Sequence, residues 1–583
     1  MAEQAESGMS RRGFMRAAGI SLIGAAAATG AFGLTGCSGE AKAAGVAVEN
    51  KGGCGDFSES IYTDAFPVKT RNVPVVDVDS GIVRQGNVAF ELRDIPASEI
   101  LRTEETDVLV IGCGLTGSVA AVAASDDGKT KVMCVEKMNV GRGMFEGMGV
   151  IGGKKMEEAG NIIDKAEMMD RMRHAAYYRV PVDPIKLWGD RSGEAADWLQ
   201  EKFDEGEGKI QTYFKKGNPN AHNFDVPQTE IAFKSELWSE KTTSNAGGAG
   251  IYIVADLANT FKKRPNADLR YNVAGVQLIR EGDNGRVTGA ILKDSDGYFR
   301  VNASKGVIVA TGGFDSNPAM LKAWCRAEDI AACASWCPNE GTTGDGQLMG
   351  LAVGGQMDPL PAAIMNFDYG SPEAFYSANL GIRTIVGGIM INEQGRRFCS
   401  EGLPFQARSN SITAQAHYGT DTWRVASSTQ VGKEKEKVEA AFQPFIDKGW
   451  GFKASSLMEL AGMMGVPADT LESEVARFNT FCDNKKDEDF NRPMEKATKI
   501  EGDTYYAVKH QSSILATVSG LVVDYNCNVV DYDNKPIEGL FAAGGASGGF
   551  FSGNYPRHIF GPSVGRCVTF GYVAGQTAAQ GVK

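Results

Sequence analysis

Residues 104–137, EETDVLVIGCGLTGSVAAVAASDDGKTKVMCVEK, decide the fold, because they set a glycine-rich turn between an apolar run and a helix-forming segment. Val108–Ile111 reads as a buried parallel strand, and Gly112, Gly114 and Gly117 spell G-x-G-x-x-G as a predicted helix, Ser118–Ala124, opens. The first glycine permits a tight turn, the second lets backbone approach a pyrophosphate, and the third lets helix and strand pack closely. Free N–H groups at the helix start add positive potential. Lys131–Val135 reads as a second strand ending at Glu136, nineteen residues after Gly117, where a carboxylate is placed to accept hydrogen bonds from a ribose. Strand, glycines, helix, strand and acid in this order predict a bound dinucleotide.

The residues in front of this unit form a leader. Ser10-Arg11-Arg12-Gly13-Phe14-Met15-Arg16 reads as a twin-arginine signal, followed by the apolar run Ala17–Leu34 and then Leu34-Thr35-Gly36-Cys37. That tetrapeptide is similar to a bacterial lipobox. Cleavage before Cys37 and acylation of its thiol would make residues 1–37 a lipoprotein signal, with the body tethered at the outer face of the cytoplasmic membrane or in the cell envelope. The run is short and rich in Ala and Gly, which disfavours a transmembrane anchor.

Composition bounds the rest. With 583 residues and 43% hydrophobic content the chain can bury a large core. Its 60 basic and 72 acidic residues leave a net charge of −12, which argues against nucleic acid as a partner. The 11 cysteines are scattered rather than framed as in a small disulfide-rich domain. Cys325, Cys333 and Cys337 are the one cluster, and C-x7-C-x3-C fits no metal pattern. The five histidines, His174, His222, His417, His510 and His558, form no H-x-x-x-H pair, so no metal site is expected.

Residues 38–101 read as a linker and irregular lead-in without a C-x-x-C-H haem site, and the α/β pattern starts at 102. Two glycine-rich stretches, 141–144 and 147–153, precede helices over 160–204, with Trp188, Ala195, Ala196, Trp198 and Leu199 at core spacing. Ile251–Lys263 is predicted helical, and Asp268–Arg280, Arg286–Lys293 and Phe299–Ala303 are predicted strands. GVIVATGGF at 306–314 reads as another buried strand running into a glycine turn, and Gly344-Asp345-Gly346 opens a helix at Gln347–Val353. Over 358–510 the rhythm changes, with helices at 433–447 and 468–486, so this stretch reads as an inserted domain. Strands resume at Val518–Asp524 and Gly539–Ala543, and Ser563–Gln580 is a last helix.

Taken together, DVLVIGCGLTG with Glu136-Lys137, Ala310-Thr311-Gly312-Gly313-Phe314, Gly344-Asp345-Gly346, the block Gly388–Phe398 with Glu401, Gly539–Gly545 and Thr569–Gly575 resemble the FAD-dependent fumarate reductase and 3-ketosteroid dehydrogenase flavoproteins. The resemblance spans roughly 104–580. It implies an α/β fold: a Rossmann-like FAD-binding domain made of 102–357 and 511–583, with an inserted α+β substrate-capping domain at 358–510. FAD is the implied cofactor, with Gly112, Gly114, Gly117, Glu136, Lys137, Val273, Ala310, Thr311, Gly312, Asp345, Gly544, Ser563 and Val564 at its site. Distant glycine turns converging on one extended ligand favour FAD over a released nicotinamide. By the same resemblance, the start of the 563–580 helix lies near the flavin pyrimidine edge.

Family chemistry implies hydride transfer between flavin N5 and a carbon–carbon bond activated by a carbonyl. The chain departs from the fumarate reductases: Leu515–Gly520 stands where they carry His-His-Thr-Met-Gly-Gly, and Phe405 stands where their proton-donating arginine is expected, with Arg408 three residues on. Two carboxylates in a dry cleft need paired cations, which disfavours a dicarboxylate. Ser552–Pro556 resembles the tyrosine-proline segment of ketosteroid dehydrogenases, and Tyr555 is the expected oxyanion binder. Arg408 and His558 are the expected proton donors, and Phe550, Phe551, Tyr555 and Phe560 are expected to face an apolar, ring-containing substrate. The expectation is an exported reductase of an unsaturated small molecule, an enone, enoate or lactone, fed by a separate membrane-linked cytochrome or quinol-coupled donor. The reverse desaturation, and a flavin-holding electron carrier or substrate-binding lipoprotein, are the alternatives.

Overall fold

The computed structural model describes residues 68–77, 82–93 and 95–581, apart from 144–146, 217–227, 238–247, 283, 332, 337–340, 371–387, 416–420, 432–434 and 557–558. The leader, with Cys37, lies outside the described residues.

The centre is a mostly parallel sheet in the order Asn528–Val530, Pro536–Ala542, Tyr298–Val309, Ile100–Ile111, Val132–Glu136 and Ala267–Tyr271. Its middle strands end in unbroken buried runs, Val108–Ile111 and Val307–Val309, as strands covered on both faces must. The first helix, Leu115–Ala124, begins inside the glycine motif rather than at Ser118, since Gly114 is its N-cap residue. Pro562–Gln580 packs against it at close range. A Cβ at Gly571 would lie 2.7 Å from the Thr116 carbonyl oxygen, and one at Gly575 would lie 2.5 Å from that of Ala120. Trp188, Ala195, Ala196, Trp198 and Leu199 are buried on the helix Val182–Glu205.

Three sequence expectations change. The predicted strand Asp268–Arg280 is two strands, Ala267–Tyr271 and Ala274–Arg280, because Asn272 turns the chain with a φ of 59°. The segments 299–303 and 306–309 are one strand, Tyr298–Val309, continued across an irregularity between Ala303 and Gly306. The lead-in is not irregular throughout, since Val68–Asp77 pairs antiparallel with Ile82–Arg93. Their β-branched residues favour extended backbone.

The chain leaves this domain along Ile364–Gly370 and returns along Gln511–Thr517, two antiparallel neighbours. Between them lies an antiparallel sheet, Ile389–Asn392, Thr422–Ser427, Tyr505–Lys509 and Gly451–Ala454, with the helices Phe405–Thr413, Lys435–Asp447, Leu457–Met464 and Ala468–Asn484. This insert has its own core, in which Ile391, Trp423 and Val425 of the sheet meet Leu460, Leu471, Val475 and Phe478 of the helices. The overall class is therefore α/β with an α+β insertion.

A buried ion network ties the insert together. Arg397 donates to Glu401 at 3.0 and 2.8 Å and to Asp487 at 3.1 and 2.7 Å, and Arg492 donates to Glu401 at 2.9 Å. Burial alone would raise the pKa of Glu401. Arg492 and Arg397 outweigh it and hold the carboxyl at about 2, against 4.5 normally. A depressed folded-state pKa stabilises above the unfolded value and loses that contribution as pH falls through the folded value. The insert should therefore lose stability between about pH 4.5 and 2. Glu401→Gln is expected to cost about 3–5 kcal/mol at neutral pH, since it takes the carboxylate from Arg492 and leaves Arg397 with Asp487 alone, and to flatten that acid limb. Thermal melts of both proteins from pH 7 to pH 3 check this, and parallel pH profiles would refute it.

Candidate functional site

The cleft starts where the sequence placed a phosphate turn. Gly112 adopts a φ of 97°, and Gly117 packs so closely that a Cβ there would sit 1.7 Å from the Gly112 carbonyl oxygen. A Cβ on Gly114 would lie 2.8 Å from the Arg142 carbonyl oxygen, so bare backbone faces the cleft. Glu136 is buried beside it, accepting from the N–H of Cys113 at 2.8 Å and of Met138 at 2.9 Å. Burial pushes its carboxyl pKa up, opposed by those two N–H groups.

The same cleft is lined by Lys137, Val273, Ala310, Thr311, Gly312, Asp345, Ser563 and Val564. Lys137 Nζ donates to Thr343 Oγ1 at 2.6 Å and to Asp345 Oδ2 at 2.9 Å, which clamps two distant motifs on one wall. Gly117 and Gly544 stand behind the wall. Gly544 has a φ of 65° and a Cβ there would meet Thr116 Oγ1 at 2.2 Å, so both shape the turn instead of lining it.

The far end carries the reactive-group candidates. Tyr555 is 2% exposed, lines the cleft, and accepts a long 3.4 Å hydrogen bond from the Ser563 N–H at its Oη. Arg408 does not line the cleft. Its guanidinium donates to Asp368 at 2.6 and 3.1 Å and to the carbonyls of Glu401 and Leu403 at 3.0 and 2.6 Å. His510 Nε2 lies 2.8 Å from the same Asp368. Phe405 packs under the Arg408 guanidinium at 5.3 Å and, tilted, at 5.1 Å from Phe367, which does line the cleft. His558 falls outside the described residues.

Phe550, Phe551 and Phe560 correct an expectation, because they are core residues and not substrate-facing. Phe550 contacts Trp188 and Phe570 edge-on at 5.9 and 5.8 Å, and all three phenylalanines are at most 2% exposed. The apolar lining comes instead from Met365, Phe367, Leu515 and Ala516. Asp315 and Arg142 escape a reading of the sequence. Burial pushes the Asp315 carboxyl up to about 6, opposed by the Thr342 hydroxyl at 2.6 Å. Arg142 lines the phosphate end, and its Nη1 is buried without a partner. Its signal is a cation set between Gly141 and Gly143, in a stretch that draws the eye only for its glycines. The Cys cluster is incomplete here: Cys325 is buried as a free thiol, and Cys337 is outside the described residues. Among the described residues no group of three metal-ligating side chains forms.

The backbone cradle at Gly112 and Gly114, the orphaned Arg142 nitrogen and the buried Glu136 fit a dinucleotide, with its pyrophosphate over the turn and a ribose at the acid. The profile of the FAD binding domain family matches residues 107–558. The chain belongs to that family. FAD is its cofactor, and it is an oxidoreductase acting on CH–CH groups, of the fumarate reductase and ketosteroid dehydrogenase type. The chain is 27% identical over 488 residues to a fumarate reductase (cytochrome) of Shewanella frigidimarina, covering 82% of this chain and 77% of the relative. It is 30% identical to a 4-oxocyclohex-2-ene-1-carboxylate 5-dehydrogenase of Sinomonas cyclohexanicum, covering 82% and 94%. In fold it is similar to the 3-ketosteroid delta1-dehydrogenase of Sterolibacterium denitrificans, at a TM-score of 0.67 and 19% identity, covering 82% of this chain and all of that one. Within this FAD-binding chain, Gly112, Gly114, Glu136 and Arg142 would hold the ADP half, and Thr311, Gly312, Ser563 and Val564 line the same cleft.

Proposed function

We propose that this chain is an exported reductase that saturates the carbon–carbon double bond of an enone, enoate or unsaturated lactone, with a largely apolar ring-containing substrate. The observation that carries the reading is a buried tyrosine hydroxyl, that of Tyr555, in the same cleft as Met365, Phe367, Leu515 and Ala516. Bound FAD supplies the hydride. Tyr555 donates a hydrogen bond to the substrate carbonyl as charge develops on it, which is where a preorganised donor contributes most. The apolar side chains exclude water and orient the ring. The accompanying proton is assigned to His558, since Arg408 is engaged by Asp368. Arg408 then acts as a positioning residue that braces Phe405 behind Phe367. The twin-arginine motif and Cys37 support an envelope location on a lipid anchor, and electrons are assigned to a membrane-linked cytochrome or quinol-coupled donor.

The test is to reduce the purified, flavin-loaded protein with a viologen dye and follow dye reoxidation over a panel of alkenes. Cyclic enones and unsaturated lactones should reoxidise it fastest. Fastest turnover by fumarate, or none by any alkene, would sink the proposal. The reverse reaction, desaturation of a cyclic ketone, is favoured by the 94% of the Sinomonas dehydrogenase that aligns with this chain. Faster reduction of an artificial acceptor by saturated ketones than dye oxidation by enones would select it.

A further inference from the structure

The far end of the cleft holds a buried charge that the reaction leaves unused. Arg566, one turn into the helix Pro562–Gln580, is 1% exposed and lines the cleft. Its Nη1 donates to the carbonyls of Val518 at 3.1 Å and Ser547 at 3.2 Å, while its Nε is buried with no partner. The carboxylate acting on it is Asp358, which is itself occupied by the N–H groups of Gly549 at 2.6 Å and Gly520 at 3.1 Å. Among the described residues Arg566 forms no ion pair. A guanidinium taken out of water is costly, and Asp358 acts on this one without an ion-pair contact, so there is room for a closer anion.

The geometry of the cleft says which anion arrives there. With the ADP half held at Gly112, Gly114 and Glu136, the ring of an extended FAD would lie further along the same cleft. The same cleft is lined by Leu515, Val518, Ser563, Val564 and Arg566 itself. The two-electron-reduced ring is an anion at neutral pH, whereas the oxidised ring is neutral, and nearby charge is the means by which a protein tunes a flavin. The positive pole of the helix acts in the same direction, but it is a partial charge and Arg566 is a whole one.

We propose that Arg566 is the counter-charge of the reduced flavin, so that the protein binds reduced FAD more tightly than oxidised FAD and raises its potential. This holds whichever alkene is the substrate. Potentials of the flavin-loaded wild type, Arg566→Met, Arg566→Lys and Asp358→Asn are measured by equilibration with reference dyes, alongside the dissociation constant of oxidised FAD and a thermal melt. Arg566→Met should lower the reduced-to-oxidised affinity ratio by about tenfold or more, equivalent to about 30 mV for a two-electron couple. Arg566→Lys should restore most of the shift. Asp358→Asn, which removes the opposing negative charge, should move the potential the other way. An unchanged potential in a folded, flavin-loaded Arg566→Met overturns the proposal. So does an unchanged potential with a raised KM for carboxylate-bearing alkenes alone, which would make Arg566 a substrate cation. If Arg566→Met does not retain flavin, Asp358→Asn decides, and no shift there overturns the proposal.

Discussion

Replacing Gly117 by alanine is expected to give a protein that purifies without flavin. The added Cβ would lie 1.7 Å from the Gly112 carbonyl oxygen and 2.7 Å from its carbon. Those atoms belong to the backbone of the phosphate turn, so no side chain can swing away to relieve the overlap. Either the helix Leu115–Ala124 lifts from the sheet or the turn opens. Both take the free N–H groups away from the pyrophosphate. An overpacking cost of about 3 kcal/mol, which this position should exceed, already corresponds to about a hundredfold loss of FAD affinity. Gly128→Ala is the control, because no atom lies within 4 Å of a Cβ there and only its φ of 65° opposes the change. The ratio of flavin to protein absorbance after gel filtration reads both variants. Stoichiometric flavin in Gly117→Ala would show that the close approach does not govern the turn.

Tyr555→Phe is expected to keep its flavin and lose its turnover. The phenyl ring fills the same buried volume, packed at 5.1 Å from Phe551, and the bond that the hydroxyl accepts from the Ser563 N–H is a long one, 3.4 Å. In the proposed function its removal takes away the donor to the substrate carbonyl. Deleting one preorganised donor of this kind costs about 10²–10³ in kcat. Steady-state dye reoxidation with the best alkene, at saturating concentration, is the measurement. A variant with wild-type kcat would place oxyanion stabilisation elsewhere in the cleft.

The flavin half of the molecule was legible because its constraints are local. A glycine with a left-handed φ or a backbone approach closer than a Cβ permits leaves a mark in the sequence, and Gly112, Gly114 and Gly117 form a spaced pattern. Apolar runs revealed the parallel strands for the same reason. The boundaries that moved did so at single residues, Asn272 and Gly306, whose backbone turns are set by where the next strand has to go. The catalytic end was harder to read because its decisive interactions are long-range. Nothing near Arg408 in sequence announces Asp368, forty residues earlier, or His510. Likewise Phe550 and Phe560 look substrate-facing beside Tyr555, and only the packing against Trp188 and its neighbours turns them inward. Arg566 gives no sign in the sequence because a lone arginine carries no pattern, and Arg142 only the faint one of a cation between two glycines. Their significance is that burial leaves a nitrogen of each without a partner.

The packing of Leu115–Ala124 on Pro562–Gln580 also fixes an order of events during synthesis. The two helices meet through Gly571 and Gly575 across more than four hundred residues, and the insert lies between them in sequence. As the chain emerges from the ribosome, the insert can collapse on its own core while the nucleotide domain still lacks one wall. Cofactor capture is therefore expected to follow translation of the final helix, and a ribosome stalled between the end of the insert and residue 562 would carry a cap ahead of a domain that still lacks this wall.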